Sequence, residues 1–318
     1  MRADAIRRIV IGANMHADIR KVLHAAQPEL EIHGARYTDI TDHDLANAGC
    51  YIGFKRPPVS SMGSVRWVHC TGAGVDGWLE PDNAEHALPA SIVLTRTPEL
   101  FGPRIAEWVL ARAFAFTQDL FTLRDAQLRG EWMPREPASL RGARVLVVGT
   151  GDIGSNVAAL FAGLGCHVTG VSRSSGGAAA PFDARASVAE LKALVGDAEW
   201  IVLTVPLTPA TRGLFDRAML ERCRGAVLMN VGRGAVVEEA ALPEALERGW
   251  LRGAALDVFE TEPLPASSPL WRDPRVIVSP HISGITTVDG VVQGFLECLN
   301  AFARGETPEW VVDRVNGY

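Results

Sequence analysis

Three polar residues follow short apolar runs in the second half of the chain: Arg233 in MNVGRGAVV, Glu262 in DVFETEPLP and His281 in VSPHISGIT. A guanidinium beside a glycine-rich strand end suits a small carboxylate or a carbonyl that needs polarising. An imidazole that titrates near neutrality can hand a proton to a carbonyl oxygen as hydride reaches the carbon. A carboxylate on the other ring nitrogen would fix the tautomer and keep the ring protonated long enough to act as an acid. Singly, each residue has an ordinary structural use: a turn cap, a solvated loop acid, a satisfied strand-end histidine. At successive strand ends of one open α/β sheet, where such sheets place their ligands, the three together point to reduction of a carbonyl.

Hydride must come from a cofactor, and the chain carries a candidate cradle for one. Gly149-Thr150-Gly151-Asp152-Ile153-Gly154 fits G-x-G-x-x-G, follows the apolar run RVLVV and opens the helical stretch IGSNVAALFAGLG. That context separates a dinucleotide turn from a chance run of glycines. Gly149 permits the sharp turn, Gly151 lets backbone approach a pyrophosphate, and Gly154 allows close helix–strand packing; the helix N-terminus supplies N–H groups to the phosphates. About two dozen residues on, an NAD-binding chain usually carries an acid for the adenosine ribose. Here GVSRSSGG offers Ser172, Arg173 and Ser174. Arg173 can pair with a 2′-phosphate that a carboxylate would repel, so NADP(H) is the expected cofactor, with NAD(H) as the second choice.

The elements that must hold these residues alternate between residues 140 and 283. Brief apolar runs (RVLVVGTG, HVTGV, WIVLTVP, GAVLMNVG, GAALDVF, RVIVSPH) are separated by helical stretches such as 188–194 and 238–248. Runs apolar on both faces, joined through helices, predict a doubly wound parallel sheet of the Rossmann kind with right-handed crossovers. The helical stretch after the glycine turn puts Ile153, Val157, Leu160, Phe161 and Leu164 on one face and stops at Gly165. The first hundred residues alternate more weakly, through RRIVIGA, CYIGF, RWVHCTGAG and SIVLTRT, and predict a smaller, flavodoxin-like α/β domain. Residues 98–102 read as a hinge, 104–121 as one amphipathic helix and 174–180 as a mobile surface loop. If the last helix packs back on the first domain, the substrate-binding domain is discontinuous, 1–97 with 285–318, around a dinucleotide-binding domain of 98–284.

Bulk properties narrow the classes. The chain has 318 residues, 47% hydrophobic and 21% charged, as expected of an ordinary globular protein. A net charge of −6 argues against a nucleic-acid surface. No apolar run approaches the roughly 20 residues of a membrane span. The opening IVIGA reads as a strand, not a signal-peptide core. Five scattered cysteines without a C-x-x-C pair read as reduced core residues, which implies a cytoplasmic setting. The histidines form no H-E-x-x-H, so no metal site is expected, and no G-x-S-x-G elbow suggests a hydrolase.

Several long motifs in order, GAGVDG, VVGTGDIG, LTVPLTPATRGLF, MNVGRGAVV, ALDVFETEPLP and SPHISGIT, make the chain resemble the D-isomer-specific 2-hydroxyacid dehydrogenase family over nearly its full length. The resemblance implies a catalytic set of Arg233, Glu262 and His281, with Asp257 near the nicotinamide amide. It also implies substrate-carboxylate binding by the backbone N–H groups of Gly74 and Val75, and a cofactor lined by Val205, Pro206 and the backbone to Leu207. Arg233 and His281 would also contact the 2-oxo acid, in a cleft between the domains. GVSRS and the closing VVDRVNGY are similar to the glyoxylate/hydroxypyruvate reductases that prefer NADPH. In GFKRPPV, Phe54 and Lys55 fall where that subgroup carries a substrate-facing aromatic residue. The D configuration follows from the resemblance alone, as does a homodimer built through the leading helix of the cofactor domain, where Trp108 and Trp132 are either interface or core. The C-terminal-binding corepressors share this fold and a similar triad, which leaves a cofactor-sensing binding protein as the alternative.

Overall fold

The structure, a computed structural model, describes residues 6–79, 88–97, 101–173 and 179–314. The chain divides into two compact units, Met1–Leu100 with Thr286–Tyr318, and Phe101–Ile285. The first unit runs β1 (Arg8–Gly12), α1 (His16–Ala26), β2 (Glu31–Ala35), α2 (Asp42–Leu45), β3 (Cys50–Gly53), β4 (Trp67–Cys70), α3 (Asp76–Leu79) and β5 (Val93–Arg96). Its five strands pair in parallel in the order β2-β1-β3-β4-β5, the flavodoxin-like order.

The second unit runs α4 (Phe101–Thr117), α5 (Leu120–Arg129), β6 (Arg144–Val148), α6 (Asp152–Gly163), β7 (His167–Ser172), β8 (Ala184–Ser187), α7 (Leu191–Leu194), β9 (Trp200–Leu203), α8 (Arg217–Leu220), β10 (Ala226–Asn230), α9 (Leu242–Glu247), β11 (Leu251–Leu256) and β12 (Val276–Val278). Its strands form one parallel sheet, β12-β11-β10-β9-β6-β7-β8. The central strands β9 and β10 are buried along their whole length, because helices cover both faces. Strand order reverses at β6, so the carboxyl ends of β6 and β9 flank the crevice where such sheets take ligands. The last helix, α10 (Val288–Ala303), belongs to the first unit and packs on α1. Its Phe295 stacks on Trp67 of β4 with ring centroids 4.6 Å apart.

The helix expected over 104–121 is instead two. Thr117 Oγ1 turns back to the Ala113 carbonyl at 3.1 Å, and Asp119 takes a left-handed backbone (φ +55°), which separates α4 from α5. Aspartate tolerates that conformation because its short polar side chain bonds locally, here accepting from Thr122 Oγ1 at 2.9 Å and pairing with Arg135. Phe101 and Gly102, read as part of a hinge, form the first turn of α4. Residues 98–100, and 174–178 of the loop assigned to 174–180, lie outside the described residues. Leu160 and Leu164 of the face assigned to α6 are only half-buried, and Ala158 is buried in their stead. All five cysteines are free and buried. Among the described residues no helix is long and apolar enough to cross a membrane.

His69 of β4 makes the first unit sensitive to acid. It has no exposed surface, and its ring nitrogens bond to Thr95 Oγ1 (2.8 Å) and Thr97 Oγ1 (3.2 Å). Burial lowers its pKa from the ordinary 6.5 to about 3, so the folded protein holds it neutral. Between those two values the unfolded chain binds the extra proton, and stability falls as pH drops through that window. The full loss is of the order of 5 kcal/mol at about 1.4 kcal/mol per pH unit. Denaturation midpoints measured from pH 7 to pH 4 should therefore fall more steeply for the wild type than for His69→Gln; parallel curves would contradict this account.

Candidate active site

At the carboxyl end of β6, Gly149 has φ +108°, which L side chains rarely adopt, and its N–H donates to the Val171 carbonyl at 2.8 Å. A methyl group on Gly154 would collide with the Gly149 carbonyl, so the turn and α6 meet backbone to backbone. Gly151 is the N-cap of α6 and offers no side-chain cap, while a Cβ there would enter open space. The first N–H groups of a twelve-residue helix are thus left without a side-chain cap, beside open space at Gly151, which fits a pyrophosphate. Asp152 turns its carboxylate away from that role: Oδ2 accepts the Gly102 N–H at 3.2 Å and Oδ1 the Asn156 side-chain amide at 3.1 Å. Ile153 and Gly154 complete the first turn of α6.

Beside this turn, Thr204 Oγ1 donates to the carbonyls of Val148 (3.2 Å) and Gly149 (3.1 Å), tying the β9 end to the glycine turn. Val205 and Pro206 follow half-buried, and Thr211 Oγ1 donates to the Pro206 carbonyl at 2.6 Å. Ser172 ends β7 and Arg173 is exposed just beyond it, in place of an acid. Ser174 lies outside the described residues. These residues fit a dinucleotide whose adenosine end meets cationic and hydroxyl groups at the end of β7.

Arg233 sits past β10 in a turn shaped by Asn230. The Asn230 side chain accepts the Gly232 N–H (3.1 Å) and donates to the Arg233 carbonyl (2.9 Å). A methyl group on Gly234 would strike the Phe259 backbone, and Glu239 and Glu260 exchange backbone-to-carboxylate bonds of 3.1 and 3.0 Å. The Arg233 loop thus lies against the loop that carries Glu262. Glu262 Oε1 accepts the Phe259 N–H at 3.1 Å, and its Oε2 lies 2.8 Å from His281 Nδ1.

Burial works to raise the Glu262 pKa. The His281 hydrogen bond and charge, the Phe259 N–H and the Arg233 charge together outweigh it, and the carboxyl is held below its ordinary range. An ionised carboxylate only accepts, so Nδ1 of His281 carries the hydrogen of that bond and Nε2 is the atom left to exchange a proton. Both side chains keep over a third of their exposure, 38% for His281 and 37% for Glu262, so a ligand can reach the ring. The arrangement can deliver a proton from Nε2, while the Arg233 guanidinium, bonded to the Gly232 carbonyl at 2.8 Å, acts by its charge on Glu262.

Asp257 has no exposed surface, and both carboxylate oxygens accept hydrogen bonds from residues 279–283. Trp108, weighed as an interface residue or core, is core, and its Nε1 donates to Ser279 Oγ at 3.2 Å; Trp132 is 94% exposed. In the first unit, Gly74 and Val75 lie in the loop after β4, where the Gly74 carbonyl accepts from Cys70 Sγ at 3.5 Å. The Phe54 ring rests on Gly72 of that loop, and Lys55 lies 5.9 Å from the Tyr37 ring. Asn230, Ser279 and Trp108 had no part in the sequence-based site; only the asparagine leaves a local trace, in N-x-x-R-G.

Residues 110–283 match the family model described as D-isomer specific 2-hydroxyacid dehydrogenase, NAD binding domain. The glyoxylate/hydroxypyruvate reductase A of Serratia proteamaculans is 32% identical over 272 residues, 83% of this chain and 86% of that protein. A D-isomer specific 2-hydroxyacid dehydrogenase family protein from Aeromonas salmonicida superposes with a TM-score of 0.88 at 32% identity, covering 97% of this chain and 99% of that one. The NADPH-dependent glyoxylate/hydroxypyruvate reductase of Sinorhizobium meliloti, solved with NADP and sulfate, gives 0.84 at 27% identity, covering 98% and 99%.

Proposed function

The chain belongs to the D-isomer-specific 2-hydroxyacid dehydrogenase family, and from that premise we propose that it reduces glyoxylate, hydroxypyruvate or a similarly small 2-oxo acid to the D-2-hydroxy acid with NADPH. The observation that carries the reading is the 2.8 Å bond between His281 and an ionised Glu262, which leaves Nε2 as the proton donor. A reduced nicotinamide cofactor, which the glycine turn of residues 149–154 with Ser172 and Arg173 would hold, would supply the hydride that C2 of the substrate accepts. Arg233 binds the substrate carboxylate and draws electron density onto the keto oxygen, which raises the positive character of C2. His281 gives its Nε2 proton to that oxygen as negative charge develops there, and Glu262 holds the imidazolium in place. The product is the hydroxy acid; the neutral imidazole recovers its proton from solvent. Val205 and Pro206 are assigned to the wall of the cofactor.

NADPH preference rests on Ser172 and Arg173 at the end of β7, and the NADP complex of the Sinorhizobium relative supports it. The test is a panel of small 2-oxo acids assayed with NADPH and NADH. Glyoxylate or hydroxypyruvate should turn over, faster with NADPH. Arg173→Asp should lower kcat/KM for NADPH by about 10- to 100-fold, the loss of a charge-assisted contact, without a matching loss for NADH. A clear NADH preference in the wild type would overturn the cofactor assignment. Tight NADPH binding with no turnover of any 2-oxo acid would move the reading to a cofactor-sensing binding protein. A homodimer is part of the same proposal; a solution mass of one chain would remove it.

A further inference from the structure

His281 has a positive φ of +55°, one of two non-glycine residues among those described to do so. A side chain holds that conformation only where its surroundings leave no alternative. Here they converge on Asp257, immediately after β11. Its main-chain carbonyl accepts the His281 N–H at 2.8 Å. Its Oδ1 accepts Ser279 Oγ at 2.6 Å and the Ile282 N–H at 3.0 Å, while Oδ2 accepts the Ser283 N–H at 2.8 Å. The residues on both sides of the imidazole, and the imidazole's own backbone, are thus fastened to one buried acid. A second layer fixes the serine. Trp108 Nε1 on α4 donates to Ser279 Oγ at 3.2 Å, which aims the hydroxyl hydrogen at Asp257. The Arg112 guanidinium covers the Trp108 ring at 4.2 Å and closes the network toward the helix surface.

We propose that Asp257, Ser279 and Trp108 are positioning residues that hold the 279–283 turn so that His281 presents Nε2 while Nδ1 stays on Glu262. Asp257 then serves the reaction through this turn in addition to the contact with the nicotinamide amide that the family resemblance implies: three donors leave one acceptor site on Oδ2. The inference rests on the reading of His281 as proton donor. Its chemical logic is that a proton donor displaced by about 1 Å loses on the order of a hundredfold in rate, even with every reacting group still present.

Ser279→Ala is the mildest probe, since it removes one hydroxyl from a site that is 5% exposed. It should lower kcat 10- to 100-fold, leave the NADPH dissociation constant within twofold and leave KM for the 2-oxo acid little changed, and Ser279→Thr should restore most of the rate. Asp257→Asn, which weakens all three bonds to the turn, should lower kcat further. The decisive arm is a double-mutant cycle: Ser279→Ala should cost nothing further in a His281→Ala background, because its effect passes through the imidazole. A weakened NADPH affinity with kcat preserved in Asp257→Asn would assign that acid to the cofactor and overturn the proposal. Equal losses from Ser279→Ala with and without His281 would reduce the network to general structural support. Failure of the donor reading itself is distinguishable, because it shows as near-normal turnover of His281→Ala alone.

Discussion

Replacement of His281 by alanine is expected to lower kcat for 2-oxo acid reduction by about a thousandfold, within the roughly 10²–10⁴ that a positioned general acid contributes. Cofactor affinity should be nearly unchanged, since the side chain is assigned to the reacting oxygen. The effect should depend on pH. Reduction consumes the proton on Nε2. On the acid side the limit is set by Glu262, whose carboxyl is held below its ordinary range by His281, the Phe259 N–H and Arg233 against the pull of burial. A group with a lowered pKa keeps its interaction above that value and loses it as pH falls through it. The His281–Glu262 pair therefore persists through mildly acidic pH. Turnover close to wild type would remove the imidazole from the mechanism.

Arg233→Ala should lower kcat/KM for the 2-oxo acid by about 10²–10³, as expected when a preorganised donor to a developing oxyanion is lost. The turn itself should survive, because the Asn230 bonds to the Gly232 N–H and the Arg233 carbonyl remain when the guanidinium's own bond to the Gly232 carbonyl is lost. Unchanged thermal denaturation would confirm that the loss is chemical. Lysine should not rescue, since a point charge lacks the planar fork that meets a carboxylate and a carbonyl oxygen together. A second readout is electrostatic. Arg233 helps hold the Glu262 pKa down, so the acid limb of the residual rate should move to higher pH in Arg233→Ala. Unaltered kcat/KM, or an acid limb that stays in place, would separate Arg233 from the site.

What the chain discloses before folding is uneven, for physical reasons. Strand β9, and β10 up to Asn230, are apolar because both of their faces are covered, and so they stand out in the sequence. Edge strands β2, EIHGA, and β8, ARAS, carry polar and small residues and left no such run. The break between α4 and α5 is invisible to a helical period, since it rests on the backbone of a single aspartate. In the candidate site, Arg233, Glu262 and His281 stand out in the sequence because their types suit the chemistry and each follows a strand. Trp108 was not, since its partner Ser279 lies 171 residues away, a pairing that only the packing of α4 beside the β12 end creates. Asp257 shows the intermediate case: the acid was visible, whereas its three donors were set by the turn that folds over it.

The central claim concerns where a proton comes from, and a crystal structure of the ternary complex with NADP and an unreactive 2-oxo acid mimic tests it most directly. The mimic's keto oxygen should lie within about 3 Å of His281 Nε2, a hydrogen-bond distance, with Nδ1 still on Glu262 and the Arg233 guanidinium on the same ligand. A mimic bound with the imidazole turned from it, or seated away from Arg233, would contradict the account.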